Sequence, residues 1–199
     1  PMPIAAVASW PALADDDLLA DERPILVAVE LRDPGNLGTI IRTAEAAGLA
    51  GVLVTGASVD RFSPKVVRAS AGSLFRLPVM STDDPVGTVA MLQDRGRPVV
   101  AAVVASGAVP YDHQDLSGAA ILLGNEPHGL PAEVVAAVDR PVTIPMAPGV
   151  ESLNVAAAAS VLCFEAARQR RQAGETTRNP VDSHRSDAHG VHNDCTELT

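Results

Sequence analysis

Ile25-Leu-Val-Ala-Val-Glu-Leu31, then Arg32-Asp-Pro-Gly-Asn36, then Leu37-Gly-Thr-Ile-Ile-Arg-Thr-Ala-Glu-Ala-Ala47 is the stretch that decides the fold. The first segment is an apolar, β-branched-rich run of strand length. A loop carrying Pro34 and Gly35 follows, and the third segment has helical periodicity until Gly48 closes it. The same unit recurs along the chain. Further strands are expected at 51–55, 77–80, 98–105, 119–123 and 142–145, with helices at 63–71, 85–94, 130–138 and 153–172. Short apolar strands alternating with helices of about ten residues predict an α/β domain with a parallel sheet, whose ligand lies beyond the carboxyl ends of strands.

Composition supports that reading. The chain has 199 residues, 47% of them hydrophobic but only 3% aromatic, so its core must be built from Ala, Val, Leu and Ile. Such a core suits parallel strands covered by closely packed helices. The net charge of −9 argues against a protein that coats nucleic acid non-specifically. Charge is unevenly spread, however. Between Arg32 and Arg76 six basic residues face three acidic ones, and Arg61, Lys65, Arg68 and Arg76 form a candidate phosphate-facing surface. Two cysteines do not make a disulfide framework, no signal peptide is visible, and the apolar run from Val155 to Phe164 is too short to span a bilayer. A cytoplasmic protein with no membrane contact is expected.

Residues 1–22, an Ala/Pro lead-in with an acidic cluster, read as an arm or linker. The chain begins at Pro1 rather than Met, and the lead-in is expected to connect to an upstream domain absent from it. Residues 23–172 form the domain, and 173–199 a polar tail expected to be disordered. The tail's His184, His189, His192 and Cys195 do not have the spacing of a zinc site, and no metal is expected.

Three polar loops carry the chemistry. Asp33-Pro-Gly-Asn-Leu-Gly-Thr-Ile-Ile-Arg42 opens a helix, where free N–H groups and the helix dipole favour an anion. Its glycine spacing is neither the dinucleotide fingerprint nor a P-loop, which disfavours an oxidoreductase on an ordinary Rossmann sheet. Leu123-Gly-Asn-Glu-Pro-His-Gly-Leu130 places Glu126 and His128 after another strand. Glu126 suits a carboxylate that fixes its loop, and His128 a weak candidate base. Ile144-Pro-Met-Ala-Pro-Gly-Val-Glu-Ser-Leu-Asn154 leads from the last strand into the closing helix, with Ser152 in the place of an N-cap.

In order and spacing, Asn36-x-Gly38-x-x-x-Arg42, Gly124-x-Glu126-x-x-Gly129 and Ile144-Pro-Met146 with Ser152-Leu-Asn154 resemble the three motifs of the SpoU (TrmH) family of RNA 2′-O-ribose methyltransferases, in the SPOUT superfamily. The resemblance covers roughly residues 24–172. It implies a SPOUT methyltransferase domain whose C-terminal part forms a deep trefoil knot, a homodimer packed partly through the closing helix, and an RNA substrate, rRNA first and tRNA as the alternative. A catalytically idle, dimeric RNA-binding module is the other reading. The implied cofactor is S-adenosylmethionine, held around Gly124, Ile144, Met146, Leu153 and Asn154. Asn36, Arg42, Glu126, Ser152 and Asn154 match the positions that the family uses for catalysis or for shaping the site, and Arg42 also joins the RNA-facing set. His128 falls at a position the family leaves variable.

Overall fold

The structure, a computed structural model, describes residues 15–105, 107–125 and 128–174. Its elements in chain order are α1 (Asp15–Ala20), β1 (Ile25–Val29), α2 (Pro34–Ala47), β2 (Gly51–Thr55), α3 (Pro64–Ala69), β3 (Val79–Thr82), α4 (Pro85–Asp94), β4 (Val99–Ala102), β5 (Val109–Pro110), β6 (Ala120–Leu123), α5 (Ala132–Ala137), β7 (Arg140–Thr143) and α6 (Val155–Gln172). The seven strands form one sheet in the order β3-β2-β1-β6-β4-β7-β5, and every pairing is parallel.

Alternation along the strands sorts the side chains into two layers. Leu26, Ala28, Val52, Val54, Ile121 and Leu123 point to the face covered by α2, α3 and α6. Ile25, Val27, Val29, Leu53, Ala120 and Leu122 point to the face covered by α1, α4 and α5. Strands buried on both sides read as unbroken apolar runs, which is why periodicity found them. The expected α/β class with a parallel sheet is present.

Three local expectations change. The lead-in was expected to lack regular structure, but Asp15–Ala20 is helical, because Leu18 and Leu19 are buried against the sheet. Residues 1–14 of the lead-in and 175–199 of the tail lie outside the described residues, as does the tail's His and Cys set. Second, the two-residue strand β5 appears at the sheet edge, where Pro110 costs no interior ladder bond. Third, the closing helix begins at Val155, and its cap is Asn154 rather than Ser152. The Asn154 side chain accepts from the N–H groups of Ala156 and Ala157.

Two buried arginines tie distant segments together through backbone carbonyls. Arg97 donates to the carbonyls of Arg23 (2.7 Å), Gly118 (2.9 Å) and Asp21, joining the starts of β1, β4 and β6 to the end of α1. Arg170 of α6 donates to the carbonyl of Gly48, the left-handed residue that closes α2. The sheet's amino-terminal edge and the α2–α6 pair are thereby fixed, leaving the carboxyl edge for the loops.

Candidate functional site

Past the carboxyl ends of β4, β6 and β7 lies a cavity of about 480 Å³. The loop after β6 contributes Gly124, Asn125 and His128 to its walls, the loop after β7 contributes Ile144 and Met146, and the approach to α6 contributes Glu151, Ser152 and Leu153. Four of the five residues expected to bind the cofactor, Gly124, Ile144, Met146 and Leu153, therefore line one space. Residues 103 and 104, after β4, complete it; no polar motif marks them, so sequence reasoning passed over that wall.

Gly124 is demanded by a close approach. A Cβ built there would stand 2.2 Å from the Gly129 carbonyl carbon and 2.4 Å from the Leu130 nitrogen. The loop folds back because Asn125 and Gly129 exchange backbone hydrogen bonds, at 3.1 Å and 2.7 Å. Asn125 is buried at that turn and also lines the cavity, a role its flanking glycine and acid did not announce. Glu126 lies outside the described residues.

The first motif opens α2. Asp33 is its cap, accepting from the Asn36 N–H at 2.8 Å, and Pro34 occupies the first turn, where a missing N–H costs nothing. Asn36 thus sits inside the first turn, three residues beyond the cap. Its side-chain oxygen accepts from the Asn154 amide at 3.2 Å, which joins the first motif to the third across 118 positions of sequence. Gly38 has a different task. A Cβ there would lie 2.4 Å from that of Ala69 and 2.9 Å from the Ser70 nitrogen, so the glycine lets α3 lie against α2.

Arg42 lies on the outer face of α2, exposed, while Ile40, Ile41 and Ala44 are buried. It follows Asn36 by six residues, about 9 Å along the helix axis. Among the described residues it forms no ion pair. Ser152 is exposed at the cavity.

The basic residues divide. Arg76 is bound twice by Glu45, at 2.5 Å and 2.9 Å, and the bond from Arg76 holds the Glu45 carboxyl below its ordinary range. Arg61 donates to the Val79 carbonyl and lies over the Phe62 ring, 4.8 Å from its centre. Lys65 and Arg68 are exposed and form no ion pair among the described residues. Of the expected RNA-facing set, only Arg76 is committed to a carboxylate among the described residues, and Arg42, Lys65 and Arg68 are exposed with no ion pair among them.

Asn154 both caps α6 and holds Asn36, and the two jobs are separable by mutation. Asn154→Ala is expected to lower stability by about 1–2 kcal/mol, the usual value of an N-cap. Asn154→Asp keeps the capping oxygen but cannot donate to Asn36, so it should retain most of that stability. Urea melts of the two variants check this, and equal losses would show that the link rather than the cap holds the helix start.

The cavity suits an adenosyl compound: its volume is within the range of nucleotide-sized sites, and Leu123, Leu130, Ile144 and Leu153 offer apolar walls to a base. Comparison with known proteins points the same way. Residues 23–164 match the SpoU rRNA Methylase family. The 23S rRNA (guanosine(2553)-2′-O)-methyltransferase RlmP of Bacillus subtilis is 36% identical over 164 residues, 82% of this chain and 64% of that protein. The 23S rRNA (uridine(2479)-2′-O)-methyltransferase of Streptomyces viridochromogenes is 38% identical over 152 residues, 74% of this chain and 53% of its own. Against these two relatives the chain thus spans between 53% and 64% of their length. Among solved structures, the SpoU methyltransferase AviRb from Streptomyces viridochromogenes in complex with the cofactor AdoMet superposes with a TM-score of 0.73 at 34% identity, over 81% of this chain and 66% of that one. With the family matched across most of the α/β domain, the chain belongs to the SpoU rRNA methylase family.

Proposed function

We propose that this protein methylates a ribose 2′-hydroxyl in ribosomal RNA, using S-adenosylmethionine, with tRNA as the alternative substrate. The observation that carries the reading is the hydrogen bond between Asn36 and Asn154, which brings the first and third motifs together beside a cavity of cofactor size. AviRb, bound to AdoMet, and the two ribose methyltransferases named above support the cofactor and the substrate class.

The cofactor supplies an electrophilic methyl group on a sulfonium. The protein's part is to position the ribose and to ease loss of the hydroxyl proton as the 2′-oxygen forms its bond to the methyl carbon and the carbon–sulfur bond breaks. Arg42 is suited to this as a permanent cation. A guanidinium keeps its proton, so it acts by gripping the phosphate beside the target ribose and lowering the hydroxyl's pKa, the proton passing to a phosphate oxygen. Asn36, held by Asn154, fixes the start of the helix that carries Arg42. Glu126 and Ser152 complete the set by their motif positions.

A trefoil knot and a homodimer belong to the same proposal. The last strand, β7, lies between β4 and β5, so the chain re-enters the sheet between segments laid down earlier. Phe164 of α6 is half exposed beside the α2–α6 pair, an apolar group suited to a second copy. No described helix is long and apolar enough to cross a membrane. The cytoplasm is the compartment proposed, and no metal is needed for the step.

Transfer of tritiated methyl from S-adenosylmethionine to purified rRNA and tRNA, followed by mapping of 2′-O-methyl marks, tests the function. Cofactor binding without transfer to either RNA would leave only the idle RNA-binding module. RNA affinity gives a second expected result. Lys65→Gln with Arg68→Gln should flatten the dependence of log affinity on log salt by about 1.4, taking ~0.7 per neutralised phosphate contact on a single strand. Filter binding across a salt series measures it, and an unchanged slope removes the two residues from the RNA surface.

A further inference from the structure

We propose that His128 and Glu151 form a two-sided clamp for the amino-acid end of the methyl donor, the imidazole donating to its α-carboxylate and the Glu151 carboxylate accepting from its α-ammonium. The inference rests on the cavity being the S-adenosylmethionine site. Among the described residues that line the cavity, only these two have titratable side chains. They come from different loops, His128 after β6 and Glu151 before α6. Both are exposed, and neither forms an ion pair among the described residues.

The chemistry of the ligand assigns them. Its adenine needs apolar walls and main-chain partners, which Leu123, Ile144 and Leu153 and the loop backbones offer. Its amino-acid end is a zwitterion, and taking a zwitterion out of water costs free energy unless both charges meet partners. The apolar walls cannot do that. One ring N–H of a histidine can always donate, and a carboxylate only accepts, so the pair matches the ligand's two charges with the correct polarity.

The alternative for Glu151 is the ribose diol, to which carboxylates also bind, and the choice of probes separates the two. S-adenosylhomocysteine carries both the diol and the amino acid, whereas 5′-methylthioadenosine keeps the diol and replaces the amino-acid arm with a methyl group. Calorimetry on the full chain with each ligand is the test. His128→Ala and Glu151→Gln are each expected to weaken S-adenosylhomocysteine about tenfold while changing 5′-methylthioadenosine less than about twofold, as loss of one charge-assisted bond at a partly exposed position implies. His128→Gln, which keeps an N–H donor, should recover part of the loss. Parallel weakening of both ligands would place Glu151 on the diol or the pair in shaping the pocket, and unchanged affinity for both would leave the side chains idle; either result overturns the clamp. Failure of the unaltered protein to bind either ligand would overturn the cofactor site itself, and the clamp with it.

Discussion

Arg42→Ala is expected to keep S-adenosylmethionine affinity within about twofold of the unaltered protein and to lower methyl transfer at least ~10²-fold, the usual cost of removing one group that stabilises developing charge. The separation follows from where the residue sits. Arg42 is exposed on α2, it is absent from the cavity wall, and no ion pair among the described residues depends on it. Its neighbours Ile40, Ile41 and Ala44 carry the packing of the helix, so alanine costs the fold little. Arg42→Lys keeps the charge without the planar fork, and should fall between the two. Calorimetry with the cofactor and single-turnover transfer to rRNA measure both quantities on the same preparation. Lost cofactor binding would make Arg42 part of the cavity, and normal turnover would remove it from the reaction.

Much of the α/β layout was legible because strands buried on both faces carry no polar interruption: 25–31, 51–55 and 119–123 announce themselves. Which strands become neighbours was not legible. Parallel strands are joined through crossovers, and nothing in residues 140–143 says that β7 inserts between β4 and β5. The helix α1 was hidden for another reason. Six residues are too few to show periodicity, and the segment is helical because Leu18 and Leu19 find the sheet, a tertiary cause. Nothing in the sequence marks Arg97 and Arg170 as buried, because the carbonyls they bind come from distant segments.

The site divides along the same line. The family resemblance put Gly124, Ile144, Met146 and Leu153 around one ligand, and they line one cavity because each lies within three residues of the end of a strand or the start of a helix, positions that gather at one edge of a parallel sheet. The choice of cap between Ser152 and Asn154 could not be made that way, since both residue types cap well. It is decided by Val155, which is buried at the start of the helix, and by Asn36, whose side-chain oxygen accepts from the Asn154 amide. Gly38 looked like part of an anion loop and proves to be the contact point of two helices. Glycines in polar motifs thus carry two meanings, backbone approach to a ligand and backbone approach to protein, and sequence does not separate them.

Gly124 tests that distinction with the second large effect. Gly124→Ala is expected to abolish measurable cofactor binding, a loss of ~10²-fold or more, because its methyl group falls within 2.4 Å of the Gly129 and Leu130 backbone and neither is a flexible tip that can swing aside. The loop must open, and the loop is a wall of the cavity. Stability should fall by only about 1–3 kcal/mol, the range for overpacking, since β6 ends at Leu123 and its ladder to β1 and β4 is already complete. Gly129→Ala is the control: that residue has a φ of 67° but no neighbouring atom of the described residues within 4 Å of where its Cβ would stand, so the substitution is expected to cost about 1–2 kcal/mol of backbone strain without displacing the Gly124 turn. Calorimetry with S-adenosylhomocysteine and thermal melts of both variants measure the contrast. If Gly124→Ala binds the ligand as the unaltered protein does, the turn between β6 and α5 is not a wall of the cofactor site, and the cavity must be serving some other guest.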